Sequence, residues 1–210
     1  MKSKKDDEDW EQFYKETKVE DLPWFTKKLD SDLENEIKAR NIKKGRFLDL
    51  GTGDGTQARA LAKYGFDVTG TDISETAINN TKKLSDEINF LTDDILNSKL
   101  PSNAFDFIFD RGVFHLFDNP QRSKFAEHIK RILDNNGIYF LKCMSIEQEE
   151  FPDGNGPNRL TKQEIQDTFE HNFDIEKIKP SVFEAINFDS NPKAWFVILK
   201  KKSNVQTVHV

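Results

Sequence analysis

Three glycines at alternate positions, Gly51, Gly53 and Gly55, directly follow the short apolar run Arg46-Phe47-Leu48-Asp49-Leu50. Lacking a Cβ, such a turn bends tightly and lets a ligand approach the backbone. Further along, Thr71-Asp72 places a carboxylate 19 residues beyond Gly53, close to the offset at which an acidic side chain meets a ribose diol. Asp72 is thus positioned to accept two hydroxyl hydrogen bonds. The glycines alone leave a tight strand-to-helix turn as an alternative; joined to Asp72 they point to a nucleotide cofactor. Their spacing also separates two such cofactors. A dinucleotide fingerprint wants a small residue at the sixth position of GxGxxG, but that position is Thr56 and the pattern is GxGxG.

The elements that must hold these residues follow from periodicity. Arg46 to Leu50 is too short for a helix and dense in apolar side chains, so it reads as a buried strand. Thr56 to Tyr64 puts Ala58, Leu61 and Ala62 on one helical face and meets Gly65 at the C-terminal cap. Phe66 to Gly70 reads as a second strand, and Ser74 caps a helix carrying Ala77, Ile78, Thr81 and Leu84. Ile88 to Leu91 and Phe105 to Phe109 supply two more strands. A helix past Pro120, with Phe125, Ile129, Ile132 and Leu133 on one stripe, ends at Asn135-Asn136-Gly137, and Ile138 to Cys143 follows as a fifth strand. Phe151 to Pro157, rich in glycine and proline, is expected to be an irregular surface loop. Thr161 and Glu164 form a capping box for a helix reaching Phe169. Phe173 to Ile178 and Ala194 to Leu199 read as an antiparallel edge pair. Alternation of this kind implies an α/β fold with a largely parallel sheet and, because crossovers are right-handed, helices on both faces.

Composition narrows the classes of function. The chain has 210 residues, 31 basic against 37 acidic, and a net charge of −6, which argues against the basic stripe a nucleic-acid binder presents to phosphates. No apolar run approaches the roughly 20 residues of a membrane span, and the first residues, MKSKKDDEDW, lack the apolar stretch of a signal peptide. A cytoplasmic protein with no membrane partner is expected. One cysteine, Cys143, and four scattered histidines exclude a disulfide framework and leave no zinc spacing to draw, so no metal is expected. The first forty or so residues differ from the rest, being charged but carrying Trp10, Phe13, Tyr14, Pro23, Trp24 and Phe25 before a helical stretch from Ser31 to Arg40. With no second core and no long linker, the reading is one domain over 1–210 in which 1–41 forms an N-terminal flap. Nothing in the residues sets an oligomeric state.

From Ile42 to Lys200 the chain resembles the class I S-adenosylmethionine-dependent methyltransferases. The resemblance rests on Leu48-Asp49-Leu50-Gly51-Thr52-Gly53-Asp54-Gly55, Gly70-Thr71-Asp72-Ile73-Ser74, Thr92-Asp93-Asp94-Ile95-Leu96, Phe105 to Gly112, and Leu133-Asp134-Asn135-Asn136-Gly137-Ile138, in that order. It implies a Rossmann-like, seven-stranded, mostly parallel sheet, S-adenosyl-L-methionine as cofactor and S-adenosyl-L-homocysteine as product. It also implies that Gly51, Gly53 and Asp54 line the methionine moiety, Asp72 and Ile73 the ribose and adenine, and Asp94 with Ile95 the adenine edge. Asp49, buried on the first strand, would need the loop amides as donors and would orient the loop.

The acceptor side begins at Asp110-Arg111-Gly112, at the carboxyl end of the fourth strand beside the transferred methyl. It lacks the prolines of the signature found in methyltransferases that act on nucleic acid bases. Asp-Arg-Gly instead resembles the thiopurine and tellurite-resistance methyltransferases, which act on small soft nucleophiles, and Leu22-Pro23-Trp24-Phe25 resembles their aromatic lid. Trp24, joined by Tyr14, could face the sulfonium, where a desolvated cation over an aromatic ring gains about 2 kcal/mol, or could anchor the flap. Arg111 could bind an anionic acceptor or an acidic partner within the sheet. His115 could withdraw a proton or simply satisfy its own packing. A thiol needs no dedicated base, since its reference pKa near about 8.5 leaves some thiolate at neutral pH. Oxygen acceptors would need one, with His115, Asp110 or Tyr14 as candidates. The leading expectation is a methyltransferase for a small-molecule acceptor, a thiol or another soft nucleophile. The alternatives are an NAD-dependent oxidoreductase and a non-catalytic cofactor-binding module.

Overall fold

The computed structural model describes residues 7–151, 156–187 and 190–202. Part of the expected loop at 151–157, the first six residues of the flap and His209 lie outside them. Seven strands form one sheet: β1 (Arg46–Leu50), β2 (Asp67–Asp72), β3 (Asn89–Thr92), β4 (Phe105–Arg111), β5 (Leu133–Met144), β6 (Phe173–Val182) and β7 (Lys193–Lys201). Their order is β3-β2-β1-β4-β5-β7-β6. β1 to β5 run parallel, while β7 pairs antiparallel with both β5 and β6. The strand order reverses between β1 and β4, and in open sheets ligands bind outside the carboxyl ends at such a point.

Among the described residues six α-helices accompany the sheet: α1 (Asp7–Glu16), α2 (Ser31–Ala39), α3 (Thr56–Lys63), α4 (Glu75–Lys82), α5 (Asn119–Ile132) and α6 (Lys162–Phe169). Alternation along the strands divides the core in two. Phe47, Val68, Phe109, Phe140 and Phe196 pack with Leu33 and Ile37 of α2 and with Ala58 and Leu61 of α3. On the other face Leu48, Ile108, Tyr139, Leu141 and Trp195 pack with Phe125, Ile129 and Ile132 of α5 and Ile165 and Phe169 of α6. Ser74 caps α4 by accepting from the Ala77 N–H, and Thr161 with Glu164 makes a reciprocal capping box on α6.

The expected strands are all present, several of them longer. β2 continues through Thr71 and Asp72 because both residues have parallel neighbours, Leu50 and Thr92. β5 begins at Leu133, where the helix was expected to run on to Asn135-Asn136-Gly137. The reason is a bulge: Phe105 pairs with Leu133 and Phe107 next pairs with Ile138, so 134–137 loop out of register and Asn136 takes a left-handed φ of 65°. The edge strand β6 carries Glu176, Lys177, Lys179 and Pro180, a charged, proline-bearing edge that discourages pairing with other chains. α1 was not expected as a helix. Its signal is the spacing of Trp10, Phe13 and Tyr14, which falls on one helical face.

Phe140 is fully buried, with its ring centroid 6.3 Å from that of Phe47 and 6.4 Å from that of Phe196, both near-parallel. Phe140→Ala should lower the unfolding free energy by about 3–5 kcal/mol in a denaturant titration. A change under about 1 kcal/mol would mean that this aromatic row does not bear on the core's stability.

Candidate cofactor and acceptor site

The glycine loop sits at the carboxyl end of β1 and is shaped from below by Asp49. That carboxylate is 2% exposed and accepts from the Thr52 hydroxyl at 2.6 Å and the Ala58 N–H at 3.0 Å, tying the loop to α3. Burial raises its pKa to about 7. Asp72, also buried, accepts from the Gly53 N–H at 2.9 Å on one oxygen and the Ser74 N–H at 3.0 Å on the other. Burial raises it to about 6 against the pull of those donors. Asp54 turns back on Thr56, accepting from its N–H at 3.0 Å and its hydroxyl at 2.8 Å, and burial raises its pKa as well. Gly53 has φ +51°, and a Cβ there would stand 2.8 Å from the Tyr14 hydroxyl oxygen. Tyr14 is therefore the side chain that lies over the loop. Burial, with Asp72 and Asp54 nearby, pushes its phenol well above its ordinary pKa, so it stays neutral.

Tyr14 is held there from two flanks. Toward the α4 side, Glu11 accepts from the Ser74 hydroxyl at 2.6 Å and from the Thr76 hydroxyl and N–H at 2.6 and 3.1 Å. These donors, the Ser74 hydroxyl foremost, lower its pKa to about 2. Trp24 stacks on Phe13 at 5.5 Å between centroids and meets Trp10 edge-on at 5.9 Å, so the two aromatic parts of the flap form one unit. Toward the β6 side, Arg111 donates to the Trp24 carbonyl at 3.2 Å, to Asp30 at 3.3 Å and to the Glu184 carbonyl at 2.6 Å. The Ile186 N–H donates to the Phe25 carbonyl at 2.9 Å, and the Asn187 amide donates to the Leu22 carbonyl at 2.8 Å. Beneath this seam Lys142, wholly buried on β5, contacts Asp30 at 2.6 Å, Asp32 at 2.8 Å and the Val182 carbonyl at 3.1 Å. Burial opposes the charge on Asp32, but Lys142, Lys179 and Ser181 bring its pKa down to about 2.

On the acceptor side, Asp110 is fully buried and accepts from the N–H groups of Gly112, Val113 and Phe114 and from the Tyr139 hydroxyl, at 2.7 to 3.0 Å. Burial raises it to about 6. Four protein donors meet the carboxylate, which shapes the turn after β4. Of the two readings of Arg111, the structure gives it an acidic partner, Asp30, together with the Trp24 and Glu184 carbonyls. His115 accepts the Met144 N–H on Nδ1 at 3.0 Å and is brought by burial to a pKa of about 3. It is thus a neutral imidazole with its proton on Nε2, which agrees with the packing reading more than with that of a base. Asp94 caps the turn at Ile95–Asn97 by accepting from the Leu96 N–H at 2.9 Å, and the Ile95 side chain is buried in the core. Ile73 sits between Asp72 and Ser74 at the start of the crevice.

Sequence reasoning did not find Glu11, Asp30 or Lys142. Lys142 carried a signal, since a cation inside the otherwise apolar run Ile138 to Cys143 requires a buried partner. The positive-φ glycine cradle, the carboxylate at the end of β2 and the aromatic cover suit an adenosyl group bearing a sulfonium, which aromatic faces and carboxylates both attract. Among the described residues no helix is long and apolar enough to cross a membrane.

Residues 48–141 match a family model described as a methyltransferase domain. A probable thiol methyltransferase 2 of Arabidopsis thaliana is 28% identical over 178 residues, covering 82% of this chain and 73% of that protein. EEF1A lysine methyltransferase 2 of Danio rerio is 24% identical over 171 residues, covering 75% of this chain and 67% of that protein. An uncharacterized methyltransferase of Schizosaccharomyces pombe is 30% identical over 102 residues, 47% of this chain and 70% of that protein. A solved structure described as concerning conversion of a disulfide bond into a thioacetal group during echinomycin biosynthesis superposes with a TM-score of 0.81. It covers 96% of this chain and 94% of that one at 22% identity, a likeness of fold.

Two measurements check this arrangement. Asp49, Asp72 and Asp110 have folded pKa values raised to about 7, 6 and 6, so the folded state binds more protons than the unfolded state above the ordinary carboxylate range. Stability should therefore fall as pH rises from about 5 to about 7, with the neutral His115 opposing part of the trend. A urea midpoint equal or higher at the upper pH would contradict these assignments. Separately, Glu11→Ala should release α1, raising its amide hydrogen exchange by about tenfold or more while β1 and β4 stay protected. Unchanged exchange in α1 would show that the contact with Ser74 and Thr76 does not hold the flap.

Proposed function

The chain belongs to the S-adenosylmethionine-dependent methyltransferase family, and on that premise we propose that its acceptor is a small molecule carrying a thiol or a similarly soft nucleophile. The cofactor supplies a methyl group on sulfonium, open to in-line displacement. The protein's task is to hold an acceptor opposite the sulfur and exclude water. In this reading Asp72 takes the ribose hydroxyls, the loop from Gly51 to Asp54 lines the methionine end, Ile73 and the backbone at Asp94 and Ile95 border the adenine, and Tyr14 with Trp24 covers the sulfonium. Residues 1–41 act as flap to a single domain.

The observation that carries the acceptor assignment is that, among the described residues, none of the three candidate bases, His115, Asp110 and Tyr14, is free to take a proton. His115 holds its proton on Nε2, Asp110 is enclosed by donors, and the Tyr14 phenol is held neutral by burial. A thiol ionises without such help. The roof, fastened on both flanks, favours a small acceptor over a folded chain, and the Arabidopsis relative is named for thiols. A protein lysine acceptor is the second reading, favoured by the Danio relative; it requires a base for the ammonium and an opening in the roof. The lone, buried Cys143 suits a reducing compartment such as the cytoplasm. The nicotinamide and non-catalytic alternatives give way to the family assignment.

Calorimetry with S-adenosylhomocysteine should show one site, with Asp72→Asn weakening binding by about 10- to 100-fold through loss of charge-assisted hydrogen bonds. In a competition assay over thiols, phenols, amines and lysine peptides, methyl transfer should favour thiols. Preferential methylation of lysine peptides would replace the thiol reading with the second one.

A further inference from the structure

His115 is 7% exposed, yet only one of its ring nitrogens is used. Nδ1 accepts the Met144 N–H; Nε2 has no hydrogen-bond partner among the described residues. That edge of the ring faces Gly112, where an added Cβ would stand 3.2 Å from Nε2 and 3.3 Å from Cε1. Gly112 is the first residue beyond β4 and has φ +114°, and the imidazole edge packs into the space that a side chain there would need. Phe183 lies across the ring at 5.6 Å between centroids, and the Arg111 guanidinium carbon stands 5.5 Å from the Phe183 ring. Nε2 is not among the enclosed, unpartnered polar atoms of the described residues, so this N–H keeps an opening to solvent near the carboxyl end of β4 and has a hydrogen bond left to give.

We propose that His115 is a specificity-determining hydrogen-bond donor that holds an anionic soft acceptor, a thiolate or an equivalent monovalent anion, through Nε2–H beside Gly112. This rests on the thiol reading of the same site. The acceptor's proton leaves to solvent before transfer. The thiolate lone pair then forms the new S–C bond, while the electron pair of the breaking S–CH3 bond remains on the cofactor's sulfur. The methylated thioether is neutral and a poor acceptor, so the contact to His115 weakens once transfer is complete. A donor that stabilises the bound anion more than the spreading charge of the transition state lowers KM without raising kcat. It therefore leaves a kinetic trace distinct from that of an acid or base.

The test compares wild type, His115→Phe and His115→Gln. Phe keeps an aromatic ring but cannot donate; Gln can place an amide N–H near the position of Nε2. His115→Phe should raise the thiol KM by about tenfold or more with kcat within about threefold, and S-adenosylhomocysteine affinity should stay within about twofold of wild type. His115→Gln should recover most of the lost KM. In wild type saturated with S-adenosylhomocysteine, thiocyanate and iodide should bind by calorimetry, a readout that needs no turnover and remains if the Phe variant fails to fold. An unchanged KM in the Phe variant, a fall in kcat at constant KM, or no anion binding to wild type would each overturn the assignment. If wild type binds these anions but methylates no thiol, the thiol reading fails while the donor role stands.

Discussion

One buried carboxylate sets the geometry of the crevice. Asp72 takes an N–H from Gly53 and another from Ser74, so a single side chain fixes the glycine loop relative to the start of α4. The desolvation cost of burying a carboxylate is tolerable only because donors meet it. Those donors lie on turns far apart in sequence. Ser74 extends the connection by donating its hydroxyl to Glu11. Glu11 fastens α1, and one helical turn on, Tyr14 comes to rest over Gly53. The circuit returns to the loop where it started, through hydrogen bonds from Gly53 to Glu11 and then through the close approach of Tyr14 to Gly53.

A second buried cluster performs the same service on the other flank. Lys142 and Arg111 project from adjacent strands, β5 and β4, toward Asp30 at the start of α2. Removing one partner would leave a charge buried without compensation, a change that typically costs about 3–5 kcal/mol. Replacing all partners with apolar groups can be neutral, so the cluster's contribution is in fixing where the flap lies. Because Arg111 also reaches the Trp24 and Glu184 carbonyls, it joins three separate segments over the strand ends. The roof is therefore a property of the tertiary structure and not of the flap alone.

The sheet was readable because each strand carries a local signature: the apolar run before Gly51, the Ser74 cap, the Thr161 and Glu164 box. The glycine loop and Asp72 were readable because their offset is set by one strand-helix-strand unit. What lay out of reach depends on distant partners. Asp110 looks like a site residue from its place at the end of β4, but whether its oxygens face a ligand or the next turn depends on the bend after Arg111 and on Tyr139 from the neighbouring strand. His115 reads as a base or as filler; its tautomer is set by the Met144 amide, 29 residues away. Glu11 sits in a charged segment where nothing local separates a solvated carboxylate from one bound to α4. The bulge at 134–137 was missed because Asn135-Asn136-Gly137 serves a helix end and a strand irregularity equally well.

The most direct measurement is a crystal structure of the chain with S-adenosylhomocysteine. The ribose hydroxyls should lie against the Asp72 carboxylate, the amino-acid end along Gly51 to Asp54, and the Tyr14 ring over the ligand with Glu11 still on Ser74 and Thr76. Ligand bound elsewhere, or a crevice that excludes it with Tyr14 packed directly onto the glycine loop, would contradict the assignment of this pocket as the cofactor site.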